Sequence, residues 1–140
     1  MADTLKQRPE YRNLHVTQLF TYRLPAPGWV SILHRVSGAA LFLFLPFLVW
    51  LFDASVTSEI SYERFTSLFR NGAGGLPGWF FKLIVFGLIW AYVQHFIAGV
   101  RHLWMDVTHS TGLGFGRQSA IVTLVLTALI TLALGAKLFF

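Results

Sequence analysis

The stretch Gln94 to Asp106, QHFIAGVRHLWMD, places two histidines, an arginine and an aspartate in an otherwise apolar run of membrane length. At about 100° per residue, His95, Gly99, His102 and Asp106 fall within about 60° of one another on one helical stripe. Ionisable groups at membrane depth are costly, so they face a bundle interior and mark a site. A neutral imidazole such as His95 can supply one axial bond to haem iron. Gly99, one turn on, would let a flat macrocycle approach the backbone. The alternative for the same residues is a His95 hydrogen-bonded across a helix interface, with Gly99 as a small packing residue. His102 cannot reach the same iron from the same helix, because about 10.5 Å of rise separates it from His95.

A second constellation lies in S-I-L-H-R-V-S-G, residues 31–38. Ser31 and Arg35 are one turn apart and project together. A hydroxyl and a guanidinium on one face can hydrogen-bond a quinone oxygen or a haem propionate. The alternative is an Arg35 that snorkels to headgroups beside a Ser31 that caps the helix. His34 points about 60° to one side and could serve either group. Arg101 and Asp106 are badly spaced for a pair within one helix, so Asp106 is expected to partner an Arg or His of a neighbouring helix. No role is assigned to His15 or His109.

These groups need a membrane scaffold to position them. The chain has 140 residues, 55% hydrophobic and 12% charged, about half the charge of a soluble domain. Three apolar runs each approach the 20 or so residues that span a bilayer. The fold class is therefore an all-α membrane protein with three transmembrane helices. The absence of cysteine excludes disulfides, thiolate chemistry and iron–sulfur ligation by this chain. A net charge of +5, without a basic stripe or stacking motif, excludes a nucleic-acid partner and suits loops lying on anionic headgroups.

Residues 1–28 form a polar arm with Lys6, Arg8, Arg12 and Arg23, and its Pro25-x-Pro27 spacing predicts an irregular approach to the membrane. No cleavable leader is expected, because the first apolar run comes too late and is too long for one. Residues 29–140 form the anchor domain, with helices at about 29–52, 79–105 and 120–140. Trp29 with Trp50, and Trp79 with Trp104, bracket the first two as aromatic belts. Pro46 should kink the first helix. Ser61 to Phe69 can form a short interfacial helix, and the glycine-rich NGAGGLPG reads as a turn, since it lacks the Lys-Ser/Thr of a phosphate loop. The last helix, with only Thr, Gly and Lys137 as polar features, reads as packing. Six basic residues against four at the two membrane faces put the N-terminus in the cytoplasm of a bacterial inner-membrane protein. Ser31, His34 and Arg35 then share a membrane level with Arg101, His102 and Asp106.

Three pieces of this pattern, in order, resemble the larger membrane-anchor family of succinate dehydrogenase, the cytochrome b556 subunits of respiratory complex II. They are Arg8-Pro9, Ser31-x-x-His34-Arg35-x-Ser37-Gly38 and His95-x-x-x-Gly99-x-Arg101-His102-x-x-x-Asp106. Glu10 departs from the family's usual apolar or small residue and touches only the arm. The resemblance implies that His95 is an axial ligand of haem b, with the second ligand supplied by a smaller anchor subunit. It implies that Ser31 and Arg35 bind ubiquinone and that His34 and Arg35 lie near the haem propionates. Flavoprotein and iron–sulfur subunits would complete the complex, around a multi-subunit haem-binding helical bundle. Two rivals remain at this point: a non-redox scaffold, and a self-contained cytochrome ligated by His34 and His95 together.

Overall fold

The computed structural model describes residues 16–140. Lys6, Arg8, Pro9, Arg12 and His15 lie outside them. Among the described residues the fold is all helical: α1 (Val16–Thr21), α2 (Ala26–Leu43), α3 (Leu45–Val56), α4 (Glu59–Arg70), α5 (Gly78–Thr108) and α6 (Leu113–Phe139). Helices α5 and α6 are each long and apolar enough to cross a membrane, and α2 with α3 qualifies as a third, bent crossing.

The arm is less extended than its prolines suggest. Pro25 is the N-cap of α2, and Pro27 lies in its first turn, where a missing N–H costs nothing and a fixed φ near −65° suits the helix. The Pro-x-Pro pair thus launches α2 instead of holding the chain irregular. It also leaves Ser31 inside the helix, so Ser31 is not a cap.

The kink expected at Pro46 is a break of 57° between α2 and α3. Phe44, at φ −90° and ψ 4°, forms the joint. Pro46 lacks the N–H that would continue the ladder, and its ring crowds the carbonyl one turn back. Helical bonding holds on both sides, with Phe44 N donating to Ala40 O at 3.0 Å and Leu48 N to Phe44 O at 3.0 Å.

Helix α4 exceeds the expected 61–69 segment at both ends. Ser58 and Ser61 form a reciprocal cap, with Ser61 N donating to Ser58 Oγ at 3.1 Å and Ser58 N to Ser61 Oγ at 2.9 Å. Ser61 stands where the familiar pattern has Glu or Gln, which hid the start. Leu68 is buried against α3 and α5 while Glu63, Arg64 and Arg70 stay exposed. The glycine-rich segment is a turn, as expected: Gly72 holds φ 85°, and a Cβ there would fall on the Leu76 carbonyl.

Helix α5 lies between α2 and α6 and packs on both. Small residues allow the close approach: Val30, Ala98 and Ala120, one from each helix, are fully buried together. Helix α6 starts at Leu113, about two turns before the apolar run at 120, because the helix continues past the hydrocarbon edge through Arg117 and Gln118. Its buried side is a narrow stripe of Thr123, Thr127, Thr131 and Gly135, spaced one turn apart. Packing therefore accounts for one face of α6 only. Thr123 Oγ1 donates to Ser119 O at 2.9 Å. The amide of Gln94 and the hydroxyls of Thr127 and Thr131 are buried with no hydrogen-bond partner among the described residues.

At Gly135 a Cβ would strike the Phe86 ring, so this glycine sets the α5–α6 separation. Gly135→Val should lower stability by about 1–3 kcal/mol through overpacking, read by thermal denaturation of the solubilised protein. An unchanged midpoint would mean that the two helices are not in contact there.

Candidate functional site

Helices α2 and α5 run antiparallel, and their facing stripes bring the two sequence motifs together. The His34 and His95 rings stack with centroids 4.2 Å apart and planes 13° from parallel, and the His102 ring lies 5.3 Å from His34 at a tilt of 48°. The shared membrane level expected for the motifs is therefore a direct contact. Its centre is His34 on α2, flanked by His95, Gly99 and His102 on α5.

His95 Nδ1 lies 3.1 Å from the His34 carbonyl oxygen. A carbonyl only accepts, so Nδ1 carries a proton, and in the neutral ring Nε2 then keeps its in-plane lone pair. That is the arrangement a metal-ligating histidine needs, with one ring nitrogen held by the protein and the other left as donor. The Ser37 hydroxyl donates to the same carbonyl at 2.9 Å, and Ser37 is fully buried. Beside it, a Cβ at Gly38 would lie 2.9 Å from His95 Cε1 and 3.1 Å from Nδ1. No carbon approaches that closely without displacing its neighbour, so the His95 ring occupies the space glycine leaves.

Gly99 behaves differently. A Cβ there would stand 3.7 Å from His34 Nε2, an ordinary contact. The glycine that shapes the His95 pocket is thus Gly38, which the stripe on α5 could not reveal. It stood in the first motif, but its closeness to His95 is set by helix pairing across the chain.

Rings stacked face to face at 4.2 Å leave no room for a macrocycle between them. His34 and His95 as placed do not form a pair of axial ligands on opposite faces of one haem. Among the described residues no three His, Cys, Asp or Glu side chains converge on a cation either. One chain-supplied ligand, His95, fits this geometry; a self-contained pair does not.

Ser31 is half-buried and Arg35 exposed, one turn apart on α2. Neither has a hydrogen-bond or ion-pair partner among the described residues, so the hydroxyl and guanidinium remain available to a ligand. The flank of α5 around His95 carries exposed rings, Tyr92 at 62% and Phe96 at 59%, stacked on each other at 6.2 Å.

Arg101 and Asp106 do not join the histidines. Arg101 Nε donates to Ser119 Oγ at 2.9 Å and Nη2 to Gly116 O at 3.2 Å, tying α5 to the first turns of α6. Asp106 is exposed and makes no ion pair among the described residues, contrary to the expected partnership with a neighbouring helix. His109 has a backbone role: at φ 53° and ψ 27° it is the left-handed cap that ends α5.

Known proteins are similar along most of the chain. It is 33% identical over 116 residues to the succinate dehydrogenase cytochrome b556 subunit of Coxiella burnetii, covering 82% of this chain and 85% of that one. It is 30% identical over 136 residues to the subunit of the same name from Paracoccus denitrificans, covering 94% and 95%. The corresponding Rickettsia felis subunit is 28% identical over 120 residues, covering 84% and 85%. Residues 4–134 match the family described as the succinate dehydrogenase/fumarate reductase transmembrane subunit. With that match spanning nearly the whole sequence, the chain belongs to the succinate dehydrogenase/fumarate reductase transmembrane subunit family, as a membrane anchor within an oxidoreductase complex.

Proposed function

We propose that this chain is the larger anchor of a four-subunit succinate:ubiquinone oxidoreductase, supplying His95 as one axial ligand to a haem b and Ser31 with Arg35 to a ubiquinone site. The observation that carries the reading is the contact of His95 Nδ1 with the His34 carbonyl, which leaves Nε2 free to bind iron. The relatives' name, cytochrome b556, agrees with a b-type haem. The second ligand would come from the smaller anchor subunit, seated against the exposed flank of α5 near Tyr92 and Phe96. The iron–sulfur and flavoprotein subunits would dock at the end of the bundle nearer Ser31 and His102. The charge distribution argues that this end lies at the cytoplasmic face of a bacterial inner membrane.

The chain's own chemistry is binding and electrostatics. Bound haem b would supply a one-electron carrier between the iron–sulfur subunit and the membrane. His95 would hold the iron, with its tautomer set by the His34 carbonyl. The Ser31 hydroxyl donates to a quinone oxygen and orients the ring. The Arg35 guanidinium stabilises negative charge developing on that oxygen as the quinone is reduced. His34 and Arg35 would also face the propionates.

Three outcomes test this. In the purified complex, His95→Leu should abolish or shift the b-type α-band of the dithionite-reduced minus oxidised spectrum; an unchanged band would place the ligand on another residue. Gly38→Ala should perturb that band by displacing the His95 ring. Ser31→Ala and Arg35→Ala should each slow quinone reduction about ten-fold or more, the scale of a lost hydrogen bond to a charged group. Succinate oxidation by a soluble artificial acceptor should persist in both. If the two activities fell together, the residues would serve assembly.

A further inference from the structure

On the side of α5 that faces α6, near the polar connection between them, lies an open cavity, a groove of about 390 Å³ whose walls Val100, Trp104 and Val122 are about half exposed. Its walls are largely apolar, from Ile97 and Val100 on α5 and Phe115 and Val122 on α6, with Trp104 and Arg101 at its polar end. The cavity shares no lining residue with the His34–His95 contact or with Ser31 and Arg35.

Arg101 is the unusual wall residue. Both of its acceptors, Ser119 Oγ and Gly116 O, are neutral. A guanidinium carries five N–H donors, so most of its hydrogen-bonding capacity is unused. No carboxylate pairs with it among the described residues, and Asp106, the acid nearest in sequence, is not part of the cavity wall. A half-buried cation in a membrane helix with no counter-ion is costly. Its bond to Gly116, in the first turn of α6, holds the guanidinium beside the polar connection between the two helices, where Trp104, one turn along α5, stands exposed, as aromatic residues at a membrane interface do.

We propose that this cavity is a binding site for an anionic phospholipid, whose phosphate pairs with Arg101 and whose acyl chain lies along Ile97, Val100 and Val122. A free phosphate ion would leave the apolar walls without a partner, and an uncharged lipid tail would leave Arg101 without one. An amphiphile with a net negative headgroup satisfies both at once. Basic pockets between transmembrane helices take such headgroups by the same combination. The site depends on membrane embedding and not on haem or quinone binding by this chain.

The test is thermal unfolding of the delipidated, purified complex titrated with detergent-solubilised phosphatidylglycerol. Phosphatidylcholine and inorganic phosphate serve as separate arms. Phosphatidylglycerol should raise the wild-type midpoint saturably and the other two should not. Arg101→Gln should weaken the phosphatidylglycerol response about five-fold or more, the scale of one lost cation at an anionic surface. Val122→Trp, which fills the cavity and leaves Arg101 in place, should abolish it. An equal response to phosphatidylcholine, or one reproduced by inorganic phosphate alone, would overturn the proposal. So would an undiminished response in Val122→Trp, the deciding variant should Arg101→Gln fail to assemble.

Discussion

The structure turns on one carbonyl. The His34 oxygen takes the Ser37 hydroxyl from its own helix and Nδ1 of His95 from α5. A helix carbonyl has two lone pairs, one of them taken by the backbone ladder, so the two side-chain donors share the other. In hydrocarbon such bonds are hard to replace, because water is not there to take over. The contact fixes the rotation of α5 relative to α2 and the tautomer of His95 together. Everything else in the α2–α5 interface is consistent with protecting it: a buried serine, a glycine where a Cβ would collide with the ring, and small residues where the backbones close in.

The membrane explains why so few interactions carry so much. Between apolar helices in lipid there is little hydrophobic drive to associate, so close packing and a few polar contacts decide the arrangement. The three helices meet through Val30, Ala98 and Ala120, and Arg101 adds a polar tie from α5 to α6. The exposed aromatic and aliphatic residues over the rest of the surface are what lipid or companion subunits require, and they need no explanation as a defect of the fold.

Much of this was legible in the sequence, for physical reasons. Span existence follows from hydropathy, which the bilayer enforces strongly, and the break at Pro46 follows from the chemistry of one residue. The meeting of the two motifs followed from topology, since two antiparallel crossings must bring residues near the same membrane face to one level. What was hidden depends on pairing across helices. Gly38 touches a ring far along the chain, and no local spacing encodes that. Arg101 stands beside the histidines in the motif, yet it reaches Ser119, because α6 begins earlier than its apolar run. The arm's prolines were misleading because proline restricts the chain in the same way whether it ends an irregular segment or opens a helix.

The separation of tasks along α5 follows from its two faces. The face turned to α2 carries His95, Gly99 and His102, and its polar groups converge on the redox candidate. The face turned to α6 carries Gln94 and Arg101, and its polar groups are satisfied poorly or only by neutral acceptors. A buried amide with neither of its atoms paired, next to threonines in the same condition, costs stability that an apolar replacement would avoid. The amide and the two hydroxyls are closed off inside the α5–α6 interface, so their cost stays within it, and Arg101, half-buried, is the group of this face open to a partner outside the chain. On that reasoning α6 is more than a spacer for α5. It completes a second polar face, of which Arg101 is the part open to the membrane environment, while the first face is reserved for the site that α2 and α5 build between them.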